Sequence, residues 1–410
     1  MAKILQGIRV IDLTQFLSGP FCTQLLAGMG AEVIKVEPPG LGATERTSPP
    51  FAGPNGAVIS KQSPEDLSLS VLKRSRNKKS VTLNLKAPEG KEMLLDMIKK
   101  ADVVMENFRP GTLEKLGLPY EVLKEANPKI IFCSLNGFGD IEEYSKLPAF
   151  DIVVQAMSGA MAINGFKDMP PVRSGIAVSD LSASLYSCIG ILSALIYRDK
   201  TGEGQKVSVS MMEATMSLIL DEGHDFWAAQ GRPPRDGSRV ARLTPFNIFD
   251  AADGNYVIAS GGDVHWQAIL KVMGREDLAE DPRYKDAGER SKRTYEVDDI
   301  VNDWSRNLTR DAVISALQAA GVPCAKVSTA TEAMKDPALV KFGSVIPIDH
   351  PTAGKIEGLS SWENPIHFSA DDVRFSKPAP MLGANNPDVY KEILGIDAAK
   401  LAELKEKGVI

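Results

Sequence analysis

The first two hundred residues switch repeatedly between a strand-like and a helix-like hydrophobic period, and this alternation restricts the fold more than any other feature. "GIRVIDLT" (Gly7 to Thr14) reads as a buried strand. "GPFCTQLLAGMGA" has proline in its first turn and glycine at its end, as a helix does, and "EVIKVEPP" is a second strand stopped by prolines. The βαβ unit then recurs: "KSVTLNL" is strand, "APEGKEMLLDMIKKA" helix, "DVVMENF" strand, "PGTLEKLGLPYEVLKEANP" helical, "KIIFCSLNGFG" strand, and later "QKVSVSM" a further strand. Such alternation predicts an α/β fold with a parallel sheet covered by helices on both faces.

The pattern changes near residue 230. "EATMSLILDEGHDFWAAQG" reads as a helix, but "RPPRDGSRVARLTP" is poor in apolar residues and rich in turn formers, which marks a domain boundary. "FNIFDAADGNYVIAS" then predicts a hairpin around Asp253-Gly254, and helical and turn segments follow as far as "GVPCAKV", so residues 230–328 have an α+β character. Beyond Pro351, "AGKIEGLS" and "NPIHFS" are short strand candidates and "PDVYKEILGIDAAKLAELKEKG" closes the chain as helix.

A chain of 410 residues, 43% of them hydrophobic, can bury two or three cores. Its 47 basic and 53 acidic side chains give a net charge of −6 with both signs mixed, which argues against a general nucleic-acid binder or a polybasic membrane protein. The start "MAKILQGIRVIDLTQ" lacks the pattern of a signal peptide, and no uninterrupted apolar run approaches twenty residues, so a cytoplasmic location is expected. Cys22, Cys133, Cys188 and Cys324 are far apart and are expected to be reduced, structural thiols. The four histidines show no metal-ligand spacing, and no metal centre is expected.

Three features bear on function. Glu37, ending the second strand, stands where a ribose-binding acid would be, but "TQFLSGP" offers only Gly19 where a dinucleotide turn needs three glycines, so a nicotinamide-dependent dehydrogenase is an alternative of another class. "KRSRNKKS" carries five cations between Lys73 and Lys79, either a solvated loop or a phosphate-facing one that acts with Lys86, Arg109 and Lys115. The third is Asp180. It is a lone carboxylate in "VRSGIAVSDLSASLYSCIGILSAL", ahead of Leu181, Leu185, Cys188, Ile189, Leu192, Leu195 and Ile196, whose spacing predicts a buried helix beginning near Leu181. An N-cap role alone would account for an aspartate there.

Eight ordered blocks resemble the class III CoA-transferase family, which includes formyl-CoA, carnitine and bile-acid CoA-transferases and the α-methylacyl-CoA racemases. They are "GIRVIDLTQFLSGPFCTQLLAGMGAEVIKVE", "RNKKSVTLNLKAPEGKE", "ADVVMENFRPGTLEKLG", "NPKIIFCSLNGFG", "FDIVVQAMSGAM", "VRSGIAVSD", "TGEGQKVSVSM" and "GVPCAKV". The resemblance implies a Rossmann-like large domain built from residues 1–229 and a returning segment 329–410, a small domain at 230–328, and two subunits interlocked as rings, in a homodimer or with a paralogous subunit. It carries the catalytic nucleophile onto Asp180. CoA contacts fall on Gln15, Phe16 and Leu17, on Leu83 and Lys86, on Asn107, Phe108 and Arg109, and on Lys115. Around the nucleophile the family register sets Phe150, Asp151, Met157, Met161 and Arg173, the two methionines being either pocket or core. The implied partners are an acyl-CoA and a carboxylic acid, with CoA as a substrate moiety and no permanently bound cofactor.

Two departures shape the expected substrate. Some members place a cation directly after the "IKVE" acid, where this chain has Pro38. The glycine-rich loop of formyl-CoA transferase has no counterpart in "RVARLTPFNIFD", which argues against oxalate and formate. Racemases carry histidine directly before the acid of the motif that here reads "PAFDIVV"; Phe150 cannot accept a proton, so transfer is expected rather than racemisation. An acceptor with an apolar or aromatic body is expected, with Arg173 a candidate partner for a second carboxylate.

Overall fold

The computed structural model describes residues 3–144, 147–260 and 262–410. Six parallel strands form the main sheet, in the spatial order Lys79–Thr82, Glu32–Glu37, Arg9–Asp12, Val103–Glu106, Ile131–Asn136 and Lys206–Ser210. Side chains alternate between its faces. Val10, Val33, Val103 and Met105 join the helices Ser18–Gly28 and Val178–Thr201 in one core, whereas Ile11, Ile34 and Val104 join Pro88–Ile98 and the C-terminal helices in the other.

The chain starts in the middle of this sheet, builds outward to one side, then returns to build the other. The strands Arg9–Asp12 and Val103–Glu106 are therefore neighbours whose following loops diverge, and the crevice at their carboxyl ends is where an open α/β sheet accepts ligands. The outer edge of Lys79–Thr82 is closed by the C-terminal segment. The Asn385 and Asn386 side chains accept from Ser80 and Thr82 N–H at 2.9 and 2.8 Å, and the Tyr390 hydroxyl donates to the Thr82 carbonyl at 2.6 Å. An exposed edge is thereby paired.

The chain divides into two compact units: residues 1–158, 175–219 and 336–410, and residues 159–174 with 220–335. In the second, the strands Phe246–Ala251 and Gly254–Ala259 form the expected antiparallel hairpin, extended by Cys324–Lys326. Trp266, Tyr256, Phe249 and Val297 fill its core.

Several elements differ from expectation. The stretch 211–229 is two helices, Met211–Ile219 and His224–Ala229, and the C-terminal helix breaks at Gly395, whose φ is +69°. "NPIHFS" forms no strand: Pro365 has no N–H for a ladder, and the Asn364 side chain accepts the Ile366 N–H instead. The strands Phe51–Gly53, Gly56–Val58, Leu67–Ser68 and Val345–His350 carry too little alternation to read in advance. Val178–Thr201 is long and apolar enough by composition to cross a membrane, yet it lies against the sheet with Ala183, Cys188, Ile191 and Leu195 in the first core. Leu185, Ile189 and Ile196, expected on its buried face, are more than half exposed.

Candidate active site

The first strand ends on Asp12, a fully buried carboxylate. It accepts from the Thr14 backbone N–H at 2.9 Å, the Thr23 hydroxyl at 2.7 Å and the Lys78 ammonium at 3.0 Å. Burial pushes its pKa upward, but Lys78, Lys35 and the two threonines outweigh burial and hold it well below the usual carboxylate range. These bonds curl the chain into a tight turn over residues 13–17. Gly19 permits that turn, since a Cβ there would lie 2.3 Å from Thr14 Cβ.

At the apex Phe16 adopts φ +64°, the left-handed region that a bulky side chain normally avoids. The turn is held from two sides. Glu45 accepts the Phe16 N–H at 3.0 Å and pairs with buried Lys35 at 3.0 Å, and Lys35 also donates to the Thr14 carbonyl at 2.6 Å. From the next strand, the Asn107 amide accepts the Gln15 N–H at 2.7 Å and donates to the Gln15 carbonyl at 2.8 Å. So fixed, the Phe16 ring meets Phe150 edge-on, with centroids 5.7 Å apart.

A cavity of about 340 Å³ opens over these loops within the first unit. Gln15, Phe16, Asn107, Phe108, Arg109, Phe150 and Asp180 line it together, so seven of the residues singled out in the sequence meet at the sheet's switch point. Ser18, Phe138, Gly139 and Met211 line it too and were missed. Their signal was position alone, since "NGFG" follows the strand Ile131–Asn136 at the same carboxyl edge. The Asn136 side chain accepts from Phe138 and Gly139 N–H, and Gly137 allows close approach, because a Cβ there would sit 2.1 Å from Ala149 Cβ.

Asp180 is not the N-cap of its helix. Val178–Thr201 begins two residues earlier, so Asp180 lies in the first turn and Ala177 occupies the cap position without a side-chain bond. The Asp151 carboxylate does the capping from outside, accepting the Ser179 N–H at 3.0 Å and the Gln155 amide at 2.7 Å. A carboxylate in the first turn still gains from the positive helix end, which favours its ionised form. The Ser184 hydroxyl bonds both the Asp180 and the Ser18 carbonyl, tying this turn to the start of the first helix.

The other expected residues are absent from the cavity wall. Leu17 is half-buried, Leu83 sits in the second core, and Lys86 and Lys115 are exposed on the surface. Met157 ends the helix Asp151–Met157 and is exposed, so it is not core, while half-buried Met161 and exposed Arg173 belong to the second unit.

Three of the five cations in the basic run are consumed internally, which corrects the reading of it as a solvated loop. Lys78 neutralises Asp12, Lys79 pairs with Glu32, and the Arg76 guanidinium lies over the Phe375 ring and donates to the Trp362 carbonyl at 2.7 Å. Glu37 is likewise taken. Arg46 binds both its oxygens, which also accept the Ser80 hydroxyl and the Ala43 N–H, leaving no acceptor for a ribose. The dehydrogenase alternative loses its acid.

The family model for CoA-transferase family III matches residues 5–386. The chain belongs to this family. Over 99% of its length it is 35% identical to a succinyl-CoA–D-citramalate CoA-transferase of Chloroflexus aurantiacus, covering 98% of that protein. It is 33% identical to a formyl-CoA:oxalate CoA-transferase of Streptomyces coelicolor, with both chains fully covered. The crystal structure of a CaiB/BaiF family protein from Brucella suis superposes with a TM-score of 0.80 at 30% identity, over 96% of this chain and all of the other. This family III CoA-transferase therefore acts on CoA thioesters.

Glu106, just beneath the cavity loop, makes a pH-dependent contribution. Burial raises its pKa from 4.5 to about 7, against the downward pull of Ser134 and of the Phe108 N–H, which it accepts at 2.7 Å. The folded enzyme thus holds this proton more tightly than the unfolded chain, so stability falls as pH rises from 4.5 through 7, by up to about 3 kcal/mol. Glu106→Gln lacks this loss. Urea unfolding should show the variant no more stable than wild type at pH 4.5 but about 2–3 kcal/mol more stable at pH 8; parallel profiles across that range would contradict the assignment.

Proposed function

We propose that the enzyme moves CoA from an acyl-CoA to a carboxylic acid through covalent intermediates on Asp180, with an acceptor whose body is apolar or aromatic. The carboxylate attacks the thioester carbonyl and expels CoA thiolate, forming a mixed anhydride. The thiolate then attacks the aspartyl carbonyl, which releases the first acid and leaves an aspartyl-CoA thioester. The acceptor carboxylate attacks that thioester, thiolate leaves again, and its attack on the acceptor's acyl carbon yields the new acyl-CoA and restores Asp180. Every step trades one activated acyl group for another. No nucleotide is consumed, but water must be kept from the anhydride.

The observation that carries this reading is the position of Asp180 on the wall of a cavity that Phe16 and Phe150 also line, at the switch point of the sheet. The two rings support an apolar acceptor body. They offer no base at position 150, which favours transfer over racemisation. CoA is assigned to the wall formed by Gln15, Asn107, Phe108 and Arg109, with Lys86 and Lys115 for phosphates beyond it. A second copy of the chain, covering the exposed Leu185, Ile189 and Ile196 stripe, is proposed to complete the assembly in the cytoplasm.

The test supplies one acyl-CoA donor with acids from oxalate through branched to aryl-substituted acceptors, and repeats the reaction on 2-methylacyl-CoA in heavy water. Transfer with oxalate among the poorest acceptors, and no α-deuteration at a rate comparable to transfer, is expected. Oxalate as the best acceptor would refute the apolar pocket, and α-deuteration as fast as transfer would establish racemisation instead.

A further inference from the structure

Phe16 and Phe150 meet edge-on in the wall of the Asp180 cavity, yet neither ring belongs to a hydrophobic core of the first unit. Phe16 is 44% exposed and Phe150 56%. Phe16 also carries a conformational cost, because its φ is +64°. Among the described residues Asn77 is the one other non-glycine with a positive φ, and asparagine tolerates the left-handed region where phenylalanine does not.

The bonds that hold this turn from Glu45, Asn107 and Lys35 all end on backbone atoms of Thr14, Gln15 and Phe16, so none of them needs the phenyl ring. A strained, half-exposed ring that neither the turn nor a core uses points to a demand of the site. Phe150 is placed as firmly. It stands immediately before the helix Asp151–Met157, whose Asp151 carboxylate caps the Asp180 helix at the Ser179 N–H.

We propose that the Phe16–Phe150 pair is the water barrier of the Asp180 intermediates and keeps acyl transfer from becoming acyl-CoA hydrolysis. The inference rests on the transfer reading above and gives the same site a role in suppressing a competing reaction. Water attack on the acyl carbon of the mixed anhydride would form one C–O bond and break the bond to the Asp180 oxygen. Asp180 would leave as carboxylate and the two water protons would pass to CoA thiolate and to solvent, so the sum is hydrolysis of one acyl-CoA. Two phenyl rings offer no group to hydrogen-bond a water beside that carbon, and truncating either one opens the wall.

The experiment measures CoA release from butyryl-CoA without any acceptor, transfer to the best acid of the acceptor panel, and thermal unfolding, in wild type, Phe16→Gly and Phe150→Ala. Glycine takes the left-handed conformation without strain and keeps the N–H that Glu45 accepts, so Phe16→Gly removes the ring and leaves the turn. The kcat for hydrolysis should rise about tenfold in each variant and vanish when Asp180→Ala is added. Melting temperatures should stay within about 4 °C of wild type. Hydrolysis at the wild-type level in either variant would overturn the proposal, and a raised acceptor KM beside it would assign the rings to acceptor binding alone. Hydrolysis that persists with Asp180→Ala, or that rises only with a melting temperature lowered beyond that range, would overturn it as well. Wild type that transfers to no acid of the panel would refute the transfer reading itself, a result distinct from the others.

Discussion

Replacing Lys78 by methionine should destabilise the enzyme by about 3–5 kcal/mol, the range for removing one member of a buried ion pair. Both side chains of the Lys78–Asp12 pair are fully buried, and Lys78 also donates to the Thr23 hydroxyl at 2.7 Å and the Pro20 carbonyl at 3.0 Å. Methionine fills similar space but leaves Asp12 with less compensation in a site that water does not reach. The acid sensitivity should weaken. In wild type the depressed Asp12 pKa contributes stability that is present above about 3.8, the unfolded value, and lost as pH falls through the folded value. In Lys78→Met one of the depressing cations is gone while Lys35 and the threonine bonds remain, so the folded pKa rises toward the unfolded one and less stability is lost as pH falls. Guanidinium unfolding of wild type, Lys78→Met and the double variant Asp12→Asn/Lys78→Met should show the double variant recovering part of the loss. A loss below about 1 kcal/mol, or a double variant no better than the single one, would show that this pair does not hold the turn.

The sheet was legible because its cores rest on local periodicity. Val10 and Ile11, like Val103 and Val104, point to opposite faces, and the helices between them carry their own stop signals. The crevice follows from strand order, which βαβ units restrict. What could not be read are pairings between distant residues. The cations of "KRSRNKKS" look solvated in sequence because Asp12, 66 positions before Lys78, and Trp362, 286 positions after Arg76, are invisible locally.

Asp180 was found for its isolation, but its expected role as a cap failed for a similar reason. The capping acceptor is Asp151, 28 positions before the Ser179 N–H it accepts, and so Val178 and Ser179 could already be helical. The exposed Leu185, Ile189 and Ile196 show the converse limit. A helix apolar nearly all round does not reveal which stripe faces the sheet of its own chain.

Asp180→Ala should lower transfer by a factor on the order of 10⁴ or more, as expected when a covalent nucleophile is removed, while CoA affinity stays within a few-fold. Fold is not at issue, because the helix end is capped by Asp151 and not by Asp180. The most direct measurement is mass spectrometry of the wild-type enzyme quenched with hydroxylamine during turnover with an acyl-CoA. The covalent mechanism predicts a hydroxamate on the peptide that carries Asp180, dependent on the donor and absent from Asp180→Ala. Turnover without any adduct, an adduct on another residue, or undiminished transfer by Asp180→Ala would contradict it.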